Sequence, residues 1–158
     1  MSEVTIRKYK SGDLPEMIAV WNEVVEGGVA FPQEEMLDSV GGEKFFAAQT
    51  YCGVAEVDGK VLGLYILHPN NIGRCGHICN ASYASHPKAE DSTSAKSWCS
   101  TASAGHMKRL QSAPVQRRRQ DEHPRAHLYE RIGFKQLGTI PGGFRMKDAA
   151  TRISARII

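Results

Sequence analysis

The side chains of this sequence that could do chemistry are few, and residue type and spacing sort them. Cys75, His77 and Cys79 alternate, so on a strand all three would share one face, and thiolate with imidazole suits zinc. No second ligand pair accompanies them, and half-buried strand residues account for the pattern better, so no metal is expected. Arg117-Arg118-Arg119, with Lys108 and Arg109 upstream, is a basic run of the kind that meets nucleic acid. It has no interleaved aromatic ring and no recognisable binding motif, and the chain's net charge is only +3, so no nucleic-acid partner is expected. Glu23, Glu26 and Glu56 are candidates for a general base by residue type alone, although a solvated carboxylate is the default for each. Phe31 could line a pocket or fill a core. Tyr129 lies in Ala126-His127-Leu128-Tyr129-Glu130-Arg131-Ile132-Gly133-Phe134, a short helix closed by glycine, where its spacing beside Leu128 and Ile132 suits packing.

The elements that would carry these residues follow from periodicity. Val4 to Tyr9 alternates as a strand. Asp13 offers an N-cap, Pro15 and Glu16 suit a first turn, and Leu14, Met17, Ile18, Trp21, Val24 and Val25 form an apolar helical face that Gly27-Gly28 ends. A second helix is predicted from Gln33 to Val40, broken by Gly41-Gly42. Tyr51 to Val57 and Lys60 to Leu67 flank Asp58-Gly59, a strong hairpin signal. His68-Pro69-Asn70-Asn71 reads as a turn and His77 to Ser85 as a strand. Lys135 to Ile140, a Pro141-Gly142-Gly143 turn and Phe144 to Lys147 read as a second hairpin. Glu90 to Ser103 and Gln116 to Glu122 lack an apolar period and read as loop or disorder. With 158 residues, 41% hydrophobic and 23% charged, the chain is expected to form one mixed α/β domain over residues 1–158. No apolar run is long enough to span a bilayer, and Met1-Ser2-Glu3-Val4 lacks the basic and apolar segments of a signal peptide. A cytoplasmic protein with reduced Cys52, Cys75, Cys79 and Cys99, without a membrane partner, is expected.

The run from Ala126 to Phe134 is similar to the A-x-x-L-Y-E-x-x-G-F signature of the GNAT superfamily of N-acetyltransferases. The resemblance covers about residues 3–88 and 126–148. Within it, Ile6-Arg7 and Asp13-Leu14 resemble the family's first strand and helix, Val54 to Gly63 its central hairpin, and Ser82-Tyr83-Ala84-Ser85-His86-Pro87 its fourth strand and following turn. It implies a mostly antiparallel twisted sheet with helices on both faces and splayed central strands. It implies an enzyme that moves an acetyl group from acetyl-CoA to a primary amine of a small molecule, directly in a ternary complex, often as a homodimer. Such a transfer needs a base for the amine, donors for the oxyanion and a proton for the leaving thiolate. The resemblance assigns that proton to Tyr129 and the pantetheine and oxyanion contacts to backbone groups of Tyr83, Ala84 and Ser85.

The resemblance breaks after Pro87, where the family has a R/Q-x-x-G-x-G/A loop whose backbone N–H groups cradle pyrophosphate. Here the position is held by Glu90, Asp91, Ser92, Thr93, Ser94 and Ala95, without glycine and with two carboxylates that repel an anion. Written in permitted codons and read from the third base, Ala89 onward gives R-G-Q-H-I-G-E-K-L-V-L-D-C-L, which restores the loop. Val115 to Arg125, read from the second base, gives F-N-A-V-V-K-T-N-I-H-A, similar to the family's fifth strand and following turn. Ala149 to Ile158, read from the third base, gives G-Y-E-D-I-C-P-Y-Y. The offsets are ordered, each one lost nucleotide from the last. They point to a reading frame displaced at about residues 89–126 and again after 148. The alternative to an active enzyme is then a non-catalytic GNAT-like fold, or a defective product that has lost its coenzyme loop. Resequencing codons 89–126 is expected to recover the missing bases, and an unaltered DNA sequence there excludes the displacement.

Overall fold

The computed structural model describes residues 4–28, 30–86, 102, 113–114, 117–119, 135–146 and 152–157. Tyr129 and the segment from Glu90 to Ala95 lie outside the described residues. The chain runs β1 (Val4–Lys8), α1 (Leu14–Gly27), α2 (Ser39–Ala47), β2 (Tyr51–Val57), β3 (Lys60–Pro69), β4 (Ile78–Ser85), β5 (Ala113–Pro114), β6 (Arg117–Arg119), β7 (Gly138–Arg145) and β8 (Arg152–Ile157). The first five strands form one sheet in the order β1-β2-β3-β4-β5, antiparallel except for the parallel β4–β5 pair. The rest form a second antiparallel sheet in the order β6-β8-β7.

Alternation along the strands divides the core between the two faces of the larger sheet. On one face Cys52, Val54, Leu64, Ile66 and Ala84 meet Met17, Val20, Trp21 and Val25 of α1 and Phe46 of α2. On the other, Ala55, Tyr65, Leu67, Cys79 and Ala81 pack with Val4, Ile6, Tyr51, Tyr83 and the helical Ala102. Helices α1 and α2 cover one face and the helical Ala102 packs on the other, so the mixed α/β expectation holds. Full burial of each such side chain contributes about 1.5–3 kcal/mol, so the α1 face predicted by periodicity is also its main anchor.

Local geometry agrees with the sequence where a special backbone angle is required. Asp58 (φ 49°) and Gly59 (φ 78°) both take positive φ, as a two-residue hairpin turn demands. Gly28 closes α1 in the left-handed region at φ 64°.

Four expectations need correction. Asp13 precedes α1, but it has helical dihedrals and makes no side-chain cap; its carboxylate instead accepts from Arg7 and from the Lys10 backbone N–H. The second helix is not Gln33–Val40: it begins at Ser39, with Asp38 capping the Gly41 N–H at 2.6 Å, and runs through Gly41-Gly42. Gly42 is inside the helix because a Cβ there would fall 2.5 Å from Ile18 Cδ1, so glycine lets α2 approach α1. Pro141-Gly142-Gly143 is not a hairpin turn but an irregularity within β7, because Gly138–Ile140 and Phe144–Arg145 both pair with β8. Arg117–Arg119, read as loop, forms β6 against β8.

Gly53 on β2 lies under the ring of the fully buried Tyr65, and an added Cβ would stand 2.2 Å from Tyr65 Cε1. Gly53→Ala is expected to cost about 1–3 kcal/mol in chemical denaturation. Gly12→Ala, where an added methyl meets nothing within 4 Å, is the control with little effect.

Candidate functional site at the end of the fourth strand

The sequence places Tyr83, Ala84 and Ser85 at the end of a strand, and the structure gives that end an unusual setting. On one side β4 pairs with β3 from Pro69↔Cys79 to Gly63↔Ser85, and the His86 N–H extends the contact to the Leu62 carbonyl at 2.9 Å. On the other side β5 pairs only at Ile78↔Ala113 and Cys79↔Pro114. Among the described residues that ladder ends there, and Asn80–Ser85 runs on past it. Backbone N–H and C=O groups alternate between the two sides of a strand, so one set along β4 faces β3 and the other faces away from it.

Burial and polarity single out Ser85. It is 6% exposed, and its Oγ is buried with no hydrogen-bond partner among the described residues. Buried hydroxyls are nearly always partnered, so an orphan here marks a position where a polar ligand would be accommodated. Alternation sets Ser85 on the face of Tyr83 and puts Ala84 on the face of α1, where it joins that core cluster.

His86 follows, and its Nε2 lies 3.6 Å from Oε1 of Glu23 on α1. Of the carboxylates singled out by residue type, Glu23 is thus the one the structure brings to the end of β4. Glu56 is committed elsewhere: Arg7 Nε donates to it at 2.8 Å, and the same guanidinium holds Asp13 at 2.6 and 2.9 Å. Hydrogen bonding from Arg7 holds the Asp13 carboxyl below its ordinary range, with help from the Lys10 backbone N–H. Glu26 is exposed on α1.

Phe31 belongs to the core. It stacks on Trp21 with centroids 4.3 Å apart, and Trp21 also meets Phe45 and Phe46 edge-on or tilted. The segment after α1 is pinned by its own hydrogen bonds. Trp21 Nε1 donates to Gln33 Oε1 at 2.9 Å, and the Asn22 amide both donates to and accepts from the Leu37 backbone at 2.8 Å. Arg145 of β7 reaches Glu34 in that segment at 2.9 Å. Cys75 lies in a 3-10 turn before β4 and is exposed, so it does not share a strand face with the buried Cys79. Burial pushes the Cys52 thiol up to about 12, which leaves it a packing residue rather than a nucleophile.

The fold has known counterparts. An N-acetyltransferase from Staphylococcus aureus Mu50 superposes with a TM-score of 0.89 over 99% of this chain and 96% of its own, at 17% identity. An acetyltransferase of the GNAT family from Streptococcus pneumoniae gives 0.84 over 98% and 97%, at 18% identity. The fold is that of the GNAT acetyltransferases. A GNAT superfamily phosphinothricin acetyltransferase from Sinorhizobium meliloti, solved in complex with acetyl-CoA, gives 0.87 over 98% and 85%, at 16% identity. Neither a protein-family model nor a curated protein matches the sequence.

The sequence reading named the backbone of Tyr83–Ser85 but missed the Ser85 hydroxyl and His86. A hydroxyl at a core-facing strand position was the available signal. Because Ser85 Oγ gives up no hydrogen bond to the described residues, Ser85→Ala is expected to leave folding stability within about 0.5 kcal/mol of the parent, or to raise it, in thermal denaturation without ligand.

Proposed function

We propose that this chain is an N-acetyltransferase that moves an acetyl group from acetyl-CoA to a primary amine of a small molecule, by direct transfer in a ternary complex. The observation that supports the reading is the fold, which superposes on GNAT acetyltransferases with TM-scores of 0.89 and 0.84. A pantetheine arm carries amides, and β4 ends at a buried Ser85 hydroxyl that has no partner among the described residues. These features fit such a ligand. The amine must lose a proton before it attacks the thioester carbonyl, and the thiolate must gain one as the C–S bond breaks. Tyr129 is assigned the second task as general acid, with backbone groups of Tyr83, Ala84 and Ser85 at the oxyanion and pantetheine. The pyrophosphate falls to the segment from Glu90 through Asp91, Ser92, Thr93 and Ser94 to Ala95. A homodimer in the cytoplasm, without a metal, completes the reading.

One observation favours a second reading. Glu90 and Asp91 put negative charge where the pyrophosphate would rest. A chain that folds as a GNAT protein yet cannot hold coenzyme A would be a non-catalytic relative or the defective product of a displaced frame.

Calorimetric titration with acetyl-CoA separates the two. Micromolar binding is expected for the enzyme, and no heat of binding leaves the second reading. In a protein that turns over, Tyr129→Phe is expected to lower kcat by about 100-fold or more, without a change in melting temperature. Unchanged turnover removes Tyr129 from the acid role.

A further inference from the structure

We infer that the second sheet carries an arginine face that binds the phosphate backbone of duplex nucleic acid without regard to sequence, a property separate from the acetyltransferase reading. Strand pairing sets Arg118 of β6 directly opposite Arg156 of β8, and Arg145 of β7 directly opposite Arg152 of β8. Opposed residues of an antiparallel pair share a face, and so do residues two or four apart on one strand. The irregularity in this sheet lies in β7, between Ile140 and Phe144, so β8 alternates without a break. Positions 118, 145, 152 and 156 therefore fall on one face, together with Thr139 and Ser154.

The opposite face takes Ile140, Phe144, Ile153, Ala155 and Ile157. Thr139 and Arg145, on the first face, are exposed, whereas on the second Phe144 is half-buried and Ile140 is 38% exposed. The arginine positions thus belong to the more open side of an amphipathic sheet. The run Arg117-Arg118-Arg119 is not itself the patch, because pairing divides it and sets Arg117 and Arg119 opposite Ile157 and Ala155. The patch is drawn from three separate stretches of chain, which is why the run by itself gave no reason to expect nucleic acid.

Like charges at opposed positions destabilise a sheet. Two such pairs lie on one face of three strands, so an anion laid across them relieves a repulsion as it binds. Each of these cations is an arginine, whose planar fork suits phosphate better than an ammonium does. The two positions on β8 are about 13 Å apart, and the outer strands widen the patch to about 10 Å. A duplex carries one charge per about 1.7 Å of its axis, so a patch of this size meets several phosphates. Among the described residues no aromatic position falls on this face, so it lacks the stacking platform that single strands use. Arg145 also donates to Glu34 at 2.9 Å, which shares its charge and makes it the weakest contributor. The face belongs to the chain as it stands, since the displaced readings of 115–125 and 149–158 put no arginine at positions 118, 152 or 156.

The test is fluorescence anisotropy of a labelled DNA duplex of about 20 base pairs, titrated with the full chain between about 50 and about 200 mM salt. A dissociation constant of about 10 μM is expected at the low-salt end, with a slope of log affinity against log salt of about −3. Arg152→Gln combined with Arg156→Gln is expected to weaken binding by about 10-fold or more and to bring the slope to about −1. Its melting temperature should hold or rise, because opposed like charges have been removed. Arg145→Gln, outside β8, serves if that variant does not fold, and should lower the slope by about one or less. Lys60→Gln, at an exposed position of the first sheet, should change nothing. Absence of binding at low salt overturns the inference, as does parental affinity in the arginine variants. Tighter binding of a single strand of the same length overturns the choice of duplex. Displacement by millimolar inorganic phosphate at constant ionic strength overturns it as well, since the face would then hold a free anion. None of these outcomes alters what acetyl-CoA calorimetry shows, so the two readings fail separately.

Discussion

The burial of one face of α1 against β3 and β4 is the constraint on which the rest of this structure hangs. Met17, Val20, Trp21 and Val25 are each 5% exposed or less, and together they fix the helix in rotation as well as position. That rotation decides where its polar residues go. Glu16 meets the start of β3, Asn22 clamps the Leu37 backbone, and Glu23 points at the end of β4. A helix turned by one residue, or about 100°, would withdraw all of these contacts at once. The candidate site is therefore assembled by hydrophobic packing some distance from its polar groups.

The sheet contributes the complementary half. Strand β4 is paired with β3 from Cys79 to Ser85, which holds its far end rigid. The buried Ser85 hydroxyl and the Glu23–His86 contact both lie at that end.

What could be read from the sequence was whatever depends on local rules. The Asp58-Gly59 hairpin was legible because few residues other than asparagine, aspartate and glycine take positive φ readily. The apolar face of α1 was legible from its period. The second helix was misplaced because Gly41-Gly42 looks like a breaker, yet Gly42 is there to admit Ile18 of another helix, a tertiary reason that no local window contains. Pro141-Gly142-Gly143 misled in the same way, since β8 pairs with the chain on both sides of it. Among the candidate bases, Glu56 and Glu23 look alike in sequence. Only the fold shows that one faces an arginine 49 positions away and the other a histidine.

The Asp58–Gly59 turn also bears on the order in which the molecule comes together. It joins β2 and β3 with the shortest loop a hairpin allows, so that pair can zip with little loss of chain entropy. Strand β1, by contrast, reaches β2 only after a loop holding both α1 and α2 has closed, and the Arg7–Glu56 contact spans 49 positions. Long-range pairings of this kind form slowly. The β2–β3 ribbon is therefore expected to form ahead of the β1–β2 pairing. In hydrogen-exchange terms, β1 is the strand of this face that should open first, and its guanidinium clamp acts as a latch closed at the end of assembly.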